Sequence, residues 1–533
     1  MKSKRLLLVL VLTLSVLLIF TACKSKTNTE NDPGPNTGPA TNVTPPSGGQ
    51  QSQAEKVLIL GRTWEDKSWE PATYTTSSQL ALAPMIFENL AELKSDGSSS
   101  PQLAESWDIS ADNLTYTFHL RQGVQWHGDY GEFTSADVKF SFERHLDEAL
   151  GSLQQETLGL ANIAAIETPD KYTAMFKLNA PDADFITRCS IYASMITSKA
   201  AFDKLGMDGF HLTPIGTGPF AFVSGTPGSR TEAVKFDRYW GNKPKIDRVI
   251  NEIVADQNTL YTAFENGELD IIYSSNMDKV GEYMLIGKQA IYVPSFQLLY
   301  IGVNMKQAPF DNDLVREAYF YAINPNYFVE QIFLGKETVP TGYIPENCKY
   351  ALTGYFKPTY DPQKCKDILA QAGYPNGVNI TLWAVNDELS TAPALITENQ
   401  LKEGGFIVDL QMVDFGVFID KVRSGEAAMW LLYNSTNFLT DDTVNRYTSY
   451  MYPGSNWCGV TDSDYDAKVA AGLSATTEAD KRKAFDAAQK RLIDLNVLYS
   501  ASTFGDYMLT QPNISGVGLR GDFYVDISNA DKQ

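Results

Sequence analysis

The sequence predicts a mixed α/β fold with more than one lobe, and two observations support this. Residues 213–272 combine a tight loop with two glycines at Pro214–Phe220, an apolar helical pattern that ends at Gly267, and a short buried strand at Leu269–Ile272. The chain of 533 residues is also longer than chains that fold around a single hydrophobic core. Two or three lobes are therefore expected.

The composition is that of a globular protein with an acidic surface. Apolar residues make up 43% of the chain and charged residues 20%, which are ordinary fractions. The formal net charge is -20. Because such a surface repels phosphate backbones, nucleic acid is not expected as a partner.

The N-terminal residues have the pattern of a secretory signal. Met1–Arg5 is basic and Leu6–Phe20 is apolar but too short to span a bilayer comfortably. Phe20–Cys23 resembles a bacterial lipobox, which implies a signal peptide over 1–22 and a diacylglycerol thioether on Cys23. The alternative is a signal peptide followed by a chance cysteine.

Residues 23–55 contain the candidate lipidated cysteine and a polar linker. The segment is rich in Thr, Asn, Pro, Gly, Ser and Gln and has almost no apolar residues, so it is predicted to be disordered. A flexible chain of this length spans about 30 Å, which suits a membrane tether.

The first elements of the folded body follow in order. Val57–Leu60 predicts a strand, and Leu80–Leu90 predicts an apolar helix. Alternating residues at Leu114–Leu120 predict a half-buried strand. Thr134 and Asp137 then predict the start of a helix that continues to Leu146.

The second half of the chain continues the alternation of helices and strands. Asp361 and Pro362 predict a helix start and Gly373 its end. The other predicted elements are strands at Leu298–Asn304, Ile380–Trp383 and Ile407–Met412, and helices at 315–323 and 481–495.

Three blocks identify a family. Pro101–Trp107, the strand region Leu114–Gly128 and the helix region Phe133–Leu146 resemble the extracellular solute-binding proteins of family 5, the oligopeptide- and dipeptide-binding proteins of ABC transporters. The resemblance extends from about Val57 to the C-terminus. It implies a three-lobed, periplasmic-binding-protein-like α/β fold (type II, cluster C) with a ligand cleft between lobes I and III.

The resemblance also implies the division of the chain. Its lobe I is discontinuous, and the expected segments are 56–98, 213–295 and 501–533 for lobe I, 99–212 for lobe II and 296–500 for lobe III.

The implied function is capture of an oligopeptide by hinge closure and its delivery to ABC permease subunits with their ATPases. A monomer without cofactor or metal is expected, held to the membrane only by its lipid anchor. The alternatives are a neutral oligosaccharide as ligand, or a peptide-sensing lipoprotein that does not feed uptake. A lipid-anchored hydrolase is the least favoured reading, since GxSxG, HExxH and GxxxxGK motifs are absent from the sequence and no catalytic residue is predicted.

The ligand residues are predicted by threading the family pattern onto this chain. The aspartate that pairs with a peptide's α-ammonium in the family falls on Asn437, which suits a hydroxyl or an amide at least as well as an amine. The alternative is that an acid elsewhere, such as Asp441 or Asp442, pairs with the ammonium. The aromatic candidates offer stacking faces or side-chain pockets, with core packing as the alternative for each. The candidate ligand residues are Tyr74, Ser78, Tyr300, Asn304, Trp383, Phe415, Trp430, Tyr433, Asn434 and Asn437.

The histidine and cysteine residues do not predict a metal site. The three central histidines fall on different predicted elements, and no CxxC pair occurs. Cys348 and Cys365 are close enough in sequence for a disulfide, and buried thiols are the alternative. The other cysteines beyond Cys23 are Cys189 and Cys458.

Overall fold

The mixed α/β class is confirmed by the architecture of a computed structural model. The described residues are 55–63, 69–73, 82–94, 98–152, 154–155, 157–182, 184–226, 228–274, 277–435, 456–520 and 524–533. The predicted lipidation site Cys23 and the linker before Glu55 lie outside them.

Strands occur along the whole described chain. In order they are β1 (Val57–Arg62), β2 (Ala91–Leu93), β3 (Ser99–Pro101), β4 (Ala104–Ile109), β5 (Thr115–Leu120), β6 (Ile163–Asp170), β7 (Thr173–Leu178), β8 (Phe220–Thr226), β9 (Arg230–Lys235), β10 (Arg248–Ile253), β11 (Ile271–Ser274), β12 (Gln289–Val303), β13 (Val378–Val385), β14 (Phe406–Val413), β15 (Met429–Ser435), β16 (Leu498–Thr510), β17 (Ile514–Ser515), β18 (Gly518–Leu519), β19 (Val525–Asp526) and β20 (Asp531–Lys532).

Helices are interleaved with these strands. In order they are α1 (Ala83–Ile86), α2 (Ser135–Glu143), α3 (Phe185–Arg188), α4 (Lys199–Leu212), α5 (Gln257–Glu265), α6 (Met277–Leu285), α7 (Asp313–Ala322), α8 (Pro325–Gln331), α9 (Pro362–Gln371), α10 (Glu388–Glu403), α11 (Phe415–Arg423), α12 (Ser463–Leu473) and α13 (Glu478–Asp494). None of the described helices is long and apolar enough to cross a membrane.

One large sheet runs through two of the lobes. Within the described residues it has ten strands in the order β14–β13–β15–β12–β16–β11–β1–β10–β9–β8. β12 and β16 are long, antiparallel and central, with β11 and β1 on one side and β15 and β13 on the other. The chain therefore passes from one half of the sheet to the other along β12 and returns along β16.

A separate sheet of four strands has the order β4–β5–β7–β6. We use lobe II for this sheet with α2–α4, lobe I for β1 and β8–β11 with the second half of β16, and lobe III for β13–β15 with α7–α13. The residue limits of the lobes remain predictions.

Helix starts follow the predicted capping chemistry. The carboxylate of Asp361 accepts a hydrogen bond from Lys364 N (2.9 Å), and Pro362 occupies the first turn of α9. Asp137 accepts a bond from Thr134 N (2.9 Å) at the start of α2, which completes a capping box. The helix predicted over Leu80–Leu90 is shorter than expected, because α1 has only four residues and the chain is extended from Phe87.

Close backbone contact joins two segments of lobe I beside its junction with lobe II. The loop with Gly216 and Gly218 packs against the carbonyl groups of Met85 and Ile86, and a Cβ on Gly216 would lie 1.8 Å from Ile86 O. His127 holds the loop, since Gly216 N donates to its Nδ1 (3.3 Å) and its Nε2 donates to Gly218 O (2.9 Å). Burial lowers the pKa of His127 to about 4, so the imidazole is neutral.

A buried carboxyl group of lobe I lies beside the same loop. Glu88 accepts hydrogen bonds from Thr217 Oγ1 (2.8 Å) and Trp240 Nε1 (2.8 Å) on Oε2, and from Tyr239 Oη (3.1 Å) on Oε1. Burial raises the pKa of Glu88 to about 7 although these bonds and the charge of Arg121 act in the opposite direction. The loop predicted to mark re-entry into lobe I is thus fixed at both of its glycines.

The cysteines among the described residues are buried thiols. Cys189, Cys348, Cys365 and Cys458 are all free, so the possible Cys348–Cys365 bridge is not formed.

Candidate ligand-binding cleft

The position of the cleft follows from strand direction. In lobe I, β1, β10 and β11 are parallel; in lobe III, β13, β14 and β15 are parallel. β11 ends at Ser274 opposite Tyr507, and β15 ends at Ser435, which pairs with Gln297 opposite Phe504. The two sets of carboxyl ends therefore point toward each other across Phe504–Tyr507. Ligands of open α/β sheets bind at such ends.

The strands that join the two lobes are irregular at this point. The pairing of β12 with β16 shifts between Pro294 and Gln297, and Ser295 Oγ donates to Phe504 O there. A Cβ on Gly505 would lie 2.0 Å from the Tyr292 ring, so the crossing requires glycine. A break in the ladder between two lobes is where a hinge rotation can be absorbed.

Glu337 attaches lobe III to the crossing. It is buried and accepts hydrogen bonds from Thr503 Oγ1 (2.8 Å) and Tyr507 Oη (3.3 Å), both on β16. Burial raises the pKa of Glu337, while the hydrogen bonds lower it.

Tyr433 lies next to this group at the end of β15. Its ring is partly exposed and packs on Phe504 (5.2 Å between ring centres) and Phe333 (6.4 Å). Its hydroxyl is shielded from solvent and has no hydrogen-bond partner among the described residues. Burial raises the pKa of Tyr433 well above its usual value, with contributions from the negative charges of Glu337 and Asp387.

Three predicted ligand residues lie in the interior of lobe III. Tyr300 donates to Tyr343 O (2.6 Å) and is 1% exposed. Trp430 is fully buried against Gly302 and Trp457, with 5.7 Å between the indole centres. Asn304 is 4% exposed and accepts a bond from Lys306 N (3.0 Å). In this structure all three support the fold rather than line the cleft.

Two other predicted residues are accessible. Trp383 on β13 is partly buried, with Lys421 Nζ 5.7 Å from its ring centre. Phe415 begins α11 and is 57% exposed. The backbone of Asn434 lies on β15 opposite Leu298. Tyr74, Ser78 and Asn437 lie outside the described residues.

The sequence prediction missed the polar groups nearest to the crossing. Glu337 and Asp387 were not singled out, nor was Ser274 at the end of β11. Asp387 lies two residues after the end of β13, is exposed and caps α10 by accepting from Ser390 N (2.7 Å). A polar residue after a predicted parallel strand is a signal that could have found Asp387 and Ser274. Glu337 comes from a loop, and no sequence pattern indicates its contact with β16.

The described residues contain no group of three or more His, Cys, Asp or Glu side chains that could hold a metal ion. The histidines are dispersed: His119 pairs with Asp108 (2.8 Å), whereas His127 lies at the lobe I–II junction and His145 is bonded to Ser152 Oγ (2.6 Å).

Comparison with protein families decides the identity. The family described as bacterial extracellular solute-binding proteins, family 5 (middle), matches residues 99–456. The glutathione-binding protein GsiB of Escherichia coli O1:K1 is 31% identical over 454 residues, which cover 82% of this chain and 86% of GsiB. The chain belongs to family 5 of the extracellular solute-binding proteins.

Solved structures agree with this assignment. The family 5 protein described here matches the ABC transporter-associated periplasmic binding protein DppA of Helicobacter pylori, in complex with peptide STSA, with a TM-score of 0.76 and 25% identity over 89% of this chain and 98% of DppA. NikA of Brucella suis, in complex with Fe(III)-EDTA, matches with a TM-score of 0.81 and 21% identity over 90% of this chain and 100% of NikA. The predicted family and the predicted type of fold are confirmed, and the protein is a substrate-binding protein of the ABC-importer class.

Proposed function

We propose that this family 5 protein is the lipid-anchored substrate-binding subunit of an ABC importer for short peptides, and that it captures them by closing lobe III onto lobe I. The relationship to GsiB carries the proposal, since glutathione is itself a tripeptide and the match covers most of both chains. The peptide bound by the H. pylori relative supports the same ligand class.

The charge pattern at the crossing suits an ammonium group. Asp387, Glu337 and the Tyr433 hydroxyl lie close enough together for both carboxylates to raise the pKa of the tyrosine. Glu337 is buried and engaged by β16, whereas Asp387 is exposed near the carboxyl end of β13 and caps α10 through Oδ1. We therefore propose Asp387 as the partner of the peptide's α-ammonium. It would supply the negative charge that the family's aspartate supplies and that the uncharged Asn437 lacks.

The oligosaccharide alternative has less support. It relied on aromatic faces for stacking, and Trp430 and Trp457 are 0% and 6% exposed. Trp383 and Phe415 remain accessible, but they lie on different elements, β13 and α11.

The ligand class is tested by isothermal titration of the purified full chain with glutathione, a panel of di- to tetrapeptides, and cello- and xylo-oligosaccharides. We expect heat of binding from peptides and none from the sugars. Binding of the sugars without binding of any peptide would overturn the peptide assignment.

The ammonium site is tested with a peptide that binds and its N-acetylated form. We expect Asp387→Asn to weaken binding of the free-amine peptide by about 10- to 100-fold, because a charge-assisted hydrogen bond contributes about 1.5–3 kcal/mol. Binding of the acetylated peptide should not change. Asp414→Asn is the matched control, since Asp414 is an exposed acid at the end of the edge strand β14 and should leave both affinities unchanged. Equal losses for both peptides would reject Asp387 as the ammonium partner.

The anchor is tested separately by Cys23→Ala in cells. Release of the protein from the membrane fraction and loss of acyl-chain labelling are expected. Retention of both would contradict the lipoprotein assignment.

A further inference from the structure

A buried ion pair connects lobe II with lobe III. Lys481 Nζ lies 2.5 Å from Asp184 Oδ2, each side chain is only 3% exposed, and the residues are 297 positions apart in the chain. Lys349 Nζ, also from lobe III, lies 3.7 Å from Asp184 Oδ1.

Each partner is rigidly fixed in its own lobe. Asp184 directly precedes α3, whose Phe185 packs on Tyr116 (4.7 Å between ring centres) and Phe176 (5.2 Å) in the lobe II sheet. Lys481 is in the first turns of α13, and its ammonium lies 5.7 Å from the ring centre of Phe485 on the same helix. The distance between Asp184 and Lys481 therefore depends on the relative position of lobes II and III and not on the local conformation of the two side chains.

Chain connectivity makes that distance sensitive to the hinge. Lobe III joins lobe I through β12 and β16, while lobe II is inserted into lobe I between β3 and β8 and is held there by the hydrogen bonds of His127 to the Gly216 loop. Rotation at Pro294–Gln297 moves lobe III relative to lobes I and II together. Such a rotation must change the separation of Asp184 and Lys481.

We propose that Asp184 and Lys481 form a latch that stabilises the closed arrangement of the lobes, so that lobe II, remote from the ligand, sets part of the ligand affinity. Two buried charges are stable only while they remain in contact. When the lobes separate, water solvates both the carboxylate and the ammonium. When the lobes close, the two groups must come back into contact. The part of the inference that concerns affinity rests on the proposed function, whereas the contact itself does not.

The first test needs no ligand. Hydrogen–deuterium exchange of the full chain is measured for peptides covering 182–188 and 478–485, with β4–β7 as an internal reference. We expect Asp184→Leu to raise exchange in these peptides by about tenfold or more, because it removes the carboxylate that lies 2.5 Å from the buried Lys481 ammonium. Lys481→Met should have a smaller effect, since Lys349 remains near Asp184.

The double variant Asp184→Leu/Lys481→Met distinguishes a latch from general damage. It removes both charges and keeps apolar groups of similar volume, so exchange should return to within about twofold of the wild type. Arg188→Met is the matched control: it breaks an ion pair within lobe II between Arg188, the last residue of α3, and Asp182 (2.7 Å), which precedes that helix, and it should not open the lobe II–III contact. Additive effects in the double variant, equal changes in β4–β7, or unchanged exchange at the contact would each overturn the latch.

The second test measures affinity for glutathione and the peptide panel. Asp184→Leu should weaken binding by about tenfold or more, and the double variant should restore it. Opening of the contact without loss of affinity would show that lobe II does not contribute to closure. If the wild type binds none of these compounds, the proposed function fails, and the exchange experiment still decides whether the latch exists.

Discussion

Lobe II contacts both of its neighbours, but the two contacts differ in kind. Toward lobe I, His127 of lobe II is hydrogen-bonded to Gly216 and Gly218, in a loop that packs against the main chain of Ile86 within lobe I. Toward lobe III, the buried connection is made by the side chains of Asp184 and Lys481. A loop packed in this way moves only by local unfolding, whereas an ion pair can be replaced by water. The difference explains how one junction is permanent while the other can open.

The largest effect is expected at the interlocked main chains. In Gly216→Ala the new methyl group would lie 1.8 Å from Ile86 O, and a backbone carbonyl cannot rotate away. We expect a loss of about 3 kcal/mol or more in the free energy of unfolding, measured by urea denaturation. Gly281→Ala is the control, because a Cβ there meets no atom within 4 Å and α6 favours alanine. A loss at Gly216 no larger than that at Gly281 would disprove the interlock.

His127 makes the lobe I–II junction sensitive to acid. Its folded pKa of about 4 is below the ordinary value of 6.5, so its contribution is fully present above pH 6.5 and is lost as the pH falls through 4. The loss amounts to about 3 kcal/mol, because each unit of pKa shift is worth 1.36 kcal/mol. His127→Gln should flatten the dependence of the unfolding free energy on pH between 6.5 and 4. An unchanged profile would mean that the histidine is not the titrating group.

Glu88, which is bonded to the same loop within lobe I, has the opposite pH dependence. Its folded pKa of about 7 is above the ordinary 4.5, so its contribution is fully present below pH 4.5 and is lost as the pH rises through 7. Glu88→Gln removes the cost of burying a charged carboxylate at high pH, and its amide oxygen can still accept hydrogen bonds from Thr217 and Trp240. We expect stabilisation of about 2 kcal/mol at pH 8 and none at pH 4 in thermal unfolding. Destabilisation at pH 8 would contradict our interpretation that burial favours the neutral, protonated form of Glu88.

The smallest effect is expected at the hinge crossing, where the contacts are single side-chain bonds. Thr503→Val removes the bond to Glu337 (2.8 Å) and the bond from Thr338 N (2.9 Å). We expect a loss of about 1–2 kcal/mol. Hydrogen exchange should rise in β16 and not at the Gly216 loop. A rise at both places would show that the hinge and the junction are one cooperative unit.

The secondary structure was largely predictable, because local rules determine it. The alternation at Leu114–Leu120 gave β5, and the Asp361–Pro362 start and the stop at Gly373 bracketed α9. The helix over Leu80–Leu90 was overextended because apolar residues also occur in buried extended chain, as at Phe87 and Leu90. Burial alone does not distinguish the two.

The candidate site was predicted less well, for a different reason. Whether Trp430 faces a cleft or a core depends on Gly302 and Trp457, which are distant in sequence. The contact of Glu337 with Thr503 likewise joins residues 166 positions apart. No local sequence pattern indicates either arrangement. The residues that surround the candidate cleft therefore become apparent only from the fold.

The central place of β16 has a consequence for the order of folding. β16 lies between β11 and β12, and Gln511, just after it, bonds to Phe264 O across 247 positions of the chain. The strands of lobe II, by contrast, pair with near neighbours in sequence, β4 with β5 and β6 with β7. Local pairs form early and distant ones late. Lobe II can therefore form its sheet before lobe I, because the lobe I strands need β16, which is distant from them along the chain.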